Sequence, residues 1–146
     1  MAEHPETINL QPIGTVHNEI RRPQRGGAAG VISDIYVNEE LAEALDGIEA
    51  FAYIIIIYWL HLSDPDNVPL KVHPRGNPER PLRGVFATRS PNRPNRIGIT
   101  TVKLLKHEGN RLTVTGLDAI DGTPVLDIKP YMPAHDDTGN NMPHAQ

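Results

Sequence analysis

The sequence predicts a mainly β protein, a small closed or nearly closed β-barrel with one or two short helices. Several short segments rich in β-branched residues are separated by Gly, Pro, Asn and Asp, which is typical of strands joined by turns. One segment alone has a helical pattern, and the strand–helix alternation of a Rossmann domain is missing. The 146 residues suffice for one domain with one core.

The first elements combine strand signals with a helix signal. Ile13–His17 is a candidate strand, and Val31–Val37 is rich in β-branched residues, which favours a second. Asn38 can cap a helix over Glu39–Leu45, and Gly47 can end it.

The middle of the chain contains the most apolar segment. Ala52–Leu60 includes four consecutive isoleucines, and such a β-branched run predicts a fully buried central strand. His61–Pro81 follows as an irregular stretch with five prolines, and loops of that length are usually functional or disordered. Gly84–Thr88 is predicted to be a short strand.

The last predicted strands form a hairpin and one further strand. Ile97–His107 and Arg111–Leu117 flank a Glu-Gly-Asn turn, and Val125–Ile128 follows a second turn. Residues 132–146 are polar and without periodicity. We therefore expect one domain over residues 1–131 and a polar C-terminal tail over 132–146.

Composition excludes several classes of site. The absence of cysteine excludes disulfides, thiolate zinc sites and cysteine nucleophiles. The histidines lie in different segments without metal-binding spacing, so no metal site is expected. Met1–Ile20 lacks the apolar part of a signal peptide, and Phe51–Leu60 is about half the length of a membrane span. A cytoplasmic protein without membrane contact is expected.

The charge distribution indicates an anionic ligand. The net charge is −4, yet residues 71–111 hold ten Lys and Arg against two Glu. Within this stretch, Arg89, Arg93 and Arg96 lie among prolines, which stiffen the loop and could orient the guanidinium groups around an anion. Solvated surface arginines are the alternative. A second loop, PQRGG, places Arg25 before two glycines and is a weaker candidate.

A group of polar side chains near the C-terminus could take part in proton transfer. Asp127, Lys129 and Tyr131 alternate along a predicted strand, so they share one face. They could move a proton or bind a ligand, or they could form a salt-bridged strand face without a chemical role.

Five segments together resemble the TsaA-like family, described as tRNA N6-threonylcarbamoyladenosine N6-methyltransferases. They are PIGTVHNE, PQRGG, GIEAFAYIIIIYWLH, RGVFATRSPNRPNRIG and LDAIDGTPVLDIKPY, and they span Pro12–Tyr131 in order. The resemblance implies a β-barrel that binds S-adenosyl-L-methionine without a Rossmann fold and works as a homodimer. By motif position the cofactor-binding residues would be Pro23, Gln24, Arg25, His61, Leu62, Arg89, Ile99, Leu117, Asp118, Ala119 and Ile120.

The reaction that the resemblance implies is methylation of the N6 nitrogen of threonylcarbamoyladenosine beside a tRNA anticodon. Because that nitrogen is a poor nucleophile, catalysis needs positioning and removal of the N6 proton. Asp118, Asp127 and Tyr131 are the candidate bases, and Lys129 could lower the pKa of a neighbour or bind an anion. Arg93 and Arg96 are expected to bind the substrate.

Two other functions stay open at this point. The chain could methylate a small molecule, because an acidic protein has less basic surface than a tRNA-binding protein usually shows. It could also be a β-barrel that binds S-adenosyl-L-methionine or RNA without catalysis.

Overall fold

The computed structural model describes residues 6–22 and 28–139, in which eight strands occur. They are β1 (Gly14–His17), β2 (Ile32–Val37), β3 (Tyr53–Trp59), β4 (Lys71–Val72), β5 (Arg83–Gly84), β6 (Ile97–Glu108), β7 (Arg111–Thr115) and β8 (Pro124–Pro130). Six of them close an antiparallel barrel in the order β1-β2-β7-β6-β3-β8, and β4 and β5 form a separate ribbon. The predicted mainly β, barrel-shaped fold is therefore confirmed.

Strand β3 contributes its alternate residues to the barrel core. Ile54, Ile56 and Tyr58 point inward and are at most 4% exposed, and they face Val102, Thr100 and Gly98 of β6. The outward side chains are less buried, and Tyr53 is 47% exposed. The expectation of a fully buried strand is thus wrong, because a barrel strand has one inner and one outer face.

The helical segments are short. Glu39–Leu45 and Ile48–Ala50 are 3-10 helices, so the predicted helix exists with a tighter winding. The Asn38 side chain does not cap it but donates to the Pro12 carbonyl at 3.2 Å. Gly47 follows the first helix with φ 89°, a conformation that glycine adopts without strain. Pro133–Asp136 forms one α-helical turn, α1, in the predicted tail.

The segment predicted as a strand over residues 84–88 is mostly a turn. Arg83–Gly84 pairs with β4, but Val85–Ala87 is a 3-10 helix. The hydroxyl of Thr88 donates to the Val85 carbonyl at 2.8 Å and closes that turn. A threonine hydroxyl that bonds its local backbone competes with strand pairing. A further 3-10 turn covers Pro74–Gly76.

The barrel topology brings three connecting segments to one end, here called the site end. Trp59 at the end of β3 pairs with Ile97 at the start of β6, and Ile32 at the start of β2 pairs with Thr115 at the end of β7. The connections that leave this end are residues 18–31, 60–96 and 116–123. Among the described residues, no helix is long and apolar enough to cross a membrane.

Candidate functional site

A cavity of about 2010 Å³ lies at the site end of the barrel. One part of its lining comes from the end of β3, the start of β6, Ile20 and residues 118–120 and 123 of the last connection. The other part comes from the long connection between β3 and β6, here called the excursion (residues 60–96). The lining contains five arginines and two aspartates, so its charge favours an anionic ligand.

Asn18 fixes one side of the 116–123 connection. Its side-chain nitrogen donates to the Ala119 carbonyl at 2.8 Å and to the Ser33 hydroxyl at 2.9 Å. Its backbone N–H donates to a carboxylate oxygen of Asp121 at 3.0 Å. That bond and the ion pair with Arg21 hold the pKa of Asp121 below its usual value, so this carboxylate stays ionised at neutral pH.

Tyr58 holds the neighbouring peptide from inside the barrel. Its hydroxyl donates to the Asp118 carbonyl at 2.9 Å and lies 2.8 Å from the Thr100 hydroxyl. Burial raises the pKa of the Tyr58 phenol, so it remains a donor at neutral pH. The ring needs Gly98 beside it, because a Cβ there would lie 2.5 Å from a ring carbon.

The three arginines of the proline-rich segment at the end of the excursion, Arg89, Arg93 and Arg96, have different surroundings. Arg89 is exposed and lines the cavity, and within the described residues its one hydrogen bond is a long 3.4 Å contact with the Ile99 carbonyl. Arg93 also lines the cavity and donates to two loop carbonyls, each at 3.1 Å. Arg96 is outside the lining: it lies over the Trp59 ring at 4.9 Å and donates to the Ser63 carbonyl at 2.8 Å.

Residues 15–137 match the family described as the tRNA-methyltransferase O N-terminal domain. The chain belongs to this family. It is 44% identical over 131 residues to a protein of Archaeoglobus fulgidus named S-adenosyl-L-methionine-binding protein, covering 87% of this chain and 91% of that one.

Solved structures of the family agree with the barrel. The crystal structure of TrmO from Pseudomonas aeruginosa matches 95% of this chain with a TM-score of 0.77 and 29% identity. A second TrmO crystal structure matches 94% with the same TM-score and 33% identity. The chain spans 61% and 63% of those two TrmO chains.

Most of the cofactor-binding residues implied by the family motifs lie around this one cavity. The residues that line it are His61, Leu62, Arg89, Ile99, Asp118, Ala119 and Ile120. Leu117 instead is fully buried in the barrel core. Pro23, Gln24 and Arg25 lie outside the described residues.

The expected proton-transfer group is not brought to the cavity. Asp127 and Lys129 pair with Ile57 and Ile55 on the outer face of β3, and their side chains form an ion pair at 3.4 Å. The backbone N–H of Tyr131 bonds the Tyr53 carbonyl on the same strand pair. None of the three lines the cavity, whereas Asp118 does. The alternation that predicted a shared face did not show which side of the barrel that face occupies.

Several site residues were missed by sequence reasoning. Tyr58 was assigned only to an apolar strand, and Asn18 had no assigned role. Phe86 lay within a predicted strand, yet it is 79% exposed in the cavity lining. Arg75, Arg80 and Arg83 were counted in the basic stretch but not as site residues. The signal for Tyr58, its pairing with Gly98 of the neighbouring strand, exists in the structure and not in the local sequence.

We expect Tyr58→Phe to loosen the 116–123 connection while the barrel stays folded. The variant keeps the ring and removes a hydroxyl that bonds both the Asp118 carbonyl and the Thr100 hydroxyl, so the cost is that of two hydrogen bonds, about 0.5–1.5 kcal/mol each. Amide hydrogen exchange should become faster in residues 117–123 and stay unchanged in β2 and β7. Tyr36→Phe, on the exposed face of β2, is the matched control. Equal exchange in the two variants would contradict the anchoring role.

Proposed function

We propose that the chain is an S-adenosyl-L-methionine-dependent methyltransferase. The observation that carries the proposal is that three separate motif segments of the family meet at a single cavity at the site end of the barrel. The family membership and the name of the Archaeoglobus fulgidus relative support the same reaction class. The barrel serves as a scaffold, and the loops at one end supply the chemistry.

The donor set of the cavity fits S-adenosyl-L-methionine. The Arg89 guanidinium can hold a carboxylate through paired hydrogen bonds, and Asp118 is exposed in the same lining, where it can face a positive charge. Leu62, Ile99 and Ile120 supply apolar surface. When bound, the cofactor supplies an electrophilic methyl group.

The acceptor that we propose is the N6 nitrogen of threonylcarbamoyladenosine in tRNA. The family description names a tRNA methyltransferase, and the cavity adds Arg75, Arg80 and Arg83 to its lining, which suits an acceptor with phosphates. Asp118 is the proposed base for the N6 proton, because it is the one member of the candidate group that lines the cavity. The cytoplasm, where such an RNA is processed, is the proposed location.

The direct test is methylation of tRNA that contains threonylcarbamoyladenosine, followed by mass spectrometry of its nucleosides. We expect the purified chain to add one methyl group to that nucleoside when S-adenosyl-L-methionine is present. Cofactor binding without any tRNA product would reject this acceptor. The acidic net charge of −4 favours a small-molecule acceptor as the second candidate.

We expect Arg89→Ala to weaken S-adenosyl-L-methionine binding about ten- to a hundredfold, because a charge-assisted hydrogen bond is lost. Arg89→Lys should recover only part of the affinity, since an ammonium group cannot bind a carboxylate through two parallel bonds. Isothermal calorimetry measures both variants. Arg111→Ala is the control, because this half-buried arginine lies at the other end of the barrel and is paired with Glu108. Wild-type affinity in Arg89→Ala would remove Arg89 from the site.

We expect Asp118→Asn to slow single-turnover methyl transfer about 10²–10⁴-fold. The amide keeps the size of the side chain and the backbone carbonyl that Tyr58 holds, so the fold should change little. Saturating S-adenosyl-L-methionine separates the rate of the transfer step from any loss of cofactor affinity. Lys129→Ala and Tyr131→Phe should keep nearly normal rates, because their side chains lie outside the cavity lining. A normal rate in Asp118→Asn combined with a slow rate in either outer variant would reverse the assignment.

We further propose that the chain works as a homodimer paired through the outer face of β3 and β6. Tyr53 on this face is 47% exposed and lies outside the cavity lining, and a strand with two apolar faces needs a second burial surface. Tyr53→Glu should therefore convert a dimer into a monomer in sedimentation velocity. Ile32→Glu is the control, because Ile32 is 59% exposed on β2, which lies three strands from β3 in the six-stranded barrel. A wild-type monomer at micromolar concentration would contradict the proposal.

A further inference from the structure

Phe86 presents an aromatic ring to the cavity rather than to the core. It is 79% exposed and belongs to the cavity lining. Its neighbour Val85 is 3% exposed and fixes the 3-10 turn that carries both residues. The turn is closed by the Thr88 side chain on the Val85 carbonyl. The backbone therefore determines where this ring lies, without burial of the ring itself.

Arg93 reinforces the position of the ring. Its guanidinium carbon lies 5.9 Å from the centre of the Phe86 ring, within cation–π distance. The same guanidinium is tied to the carbonyls of Thr88 and Ser90, so it is held by the loop that carries Phe86. One aromatic surface and one fixed positive charge thus form a unit, here called the Phe86–Arg93 platform.

The surroundings of the platform are basic. Arg75, Arg80 and Arg83 line the same cavity, and all three are exposed. A planar aromatic surface together with positive charges matches the two parts of a nucleotide, a flat base and an anionic phosphate. A second copy of this chain is a poorer fit, because equal positive charges would face each other around an apolar contact.

We propose that the Phe86–Arg93 platform stacks on the target nucleobase of the acceptor RNA, while Arg75, Arg80 and Arg83 contact its phosphates. The inference rests on the proposed function and assigns residues that would bind the acceptor. Arg89 and Asp118 would then contact the cofactor and the reacting nitrogen, whereas Phe86 would contact the acceptor base. Stacking accepts any base, so the platform orients the acceptor and does not read its sequence.

The test compares Phe86→Leu, Phe86→Trp and Leu82→Ala in the full chain. Leucine keeps an apolar side chain without a ring, tryptophan keeps a ring, and Leu82 is 56% exposed but outside the cavity lining. Phe86→Leu should raise the KM for tRNA about 5- to 150-fold, the range for loss of one base–aromatic stack. The dissociation constant of S-adenosyl-L-methionine should stay within twofold of wild type. Phe86→Trp and Leu82→Ala should keep a wild-type KM.

A second readout does not depend on turnover. An anticodon-arm RNA hairpin with 2-aminopurine in place of the target adenosine should lose fluorescence on binding wild type and Phe86→Trp, because stacking quenches this base. It should keep its fluorescence with Phe86→Leu at saturating protein. Absence of methyl transfer with the quenching retained would reject the proposed function and leave the platform standing.

Three results would overturn the platform. The first is equal quenching by wild type and Phe86→Leu, or none by wild type. The second is a parallel loss of cofactor affinity in Phe86→Leu, which would place the ring in the cofactor site. The third is a change of sedimentation coefficient in Phe86→Leu alone, which would assign the ring to contact between copies of the chain.

Discussion

The hydrogen bond from the Tyr58 phenol to the Asp118 carbonyl joins the barrel core to the cavity. The phenol belongs to the most apolar strand of the chain, and its position follows from packing against Gly98. Asn18 bonds the next carbonyl, that of Ala119, from the end of β1. Two successive peptides are thereby fixed, one by a side chain of β3 and one by the residue that follows β1. Because an irregular connection has no strand pairing of its own, these bonds determine where the Asp118 side chain can lie.

A similar anchoring acts on the excursion. Arg96 lies over the Trp59 ring and bonds the Ser63 carbonyl, so the first turn after β3 is tied to the segment just before β6. Arg93 does the same within the loop, through the carbonyls of Thr88 and Ser90. Two of the three arginines that sequence reasoning assigned to a ligand are thus engaged with backbone carbonyls. Arg89, with a single long bond among the described residues, has the most unused donor capacity for an anion.

The barrel and the segments that build its site could be predicted from the sequence, because strand alternation and the family motifs are local signals. The turn at Val85–Ala87 could not, since its geometry depends on a side-chain bond from Thr88 and on pairing with β4. The exposure of Phe86 could not be predicted for the same reason, because an aromatic ring within a predicted strand of apolar residues is expected in the core. The anchoring roles of Tyr58 and Asn18 depend on contacts between residues 60 and 101 positions apart, which no local pattern shows.

Asp127 and Lys129 show that strand alternation can be predicted correctly without revealing which face of the strand points to the site. Alternation places the two side chains on one face, and the pairing with Ile57 and Ile55 makes it the outer one. The pairing register shifts just before Asp127 in β8. There Tyr58 pairs with Val125, and Leu126 has no partner in the register, as in a β-bulge. A shift by one residue exchanges the inner and outer faces of a strand. Of the four residues considered for proton transfer, only Asp118 lines the cavity, and it lies in a connection whose backbone is anchored by Tyr58 and Asn18.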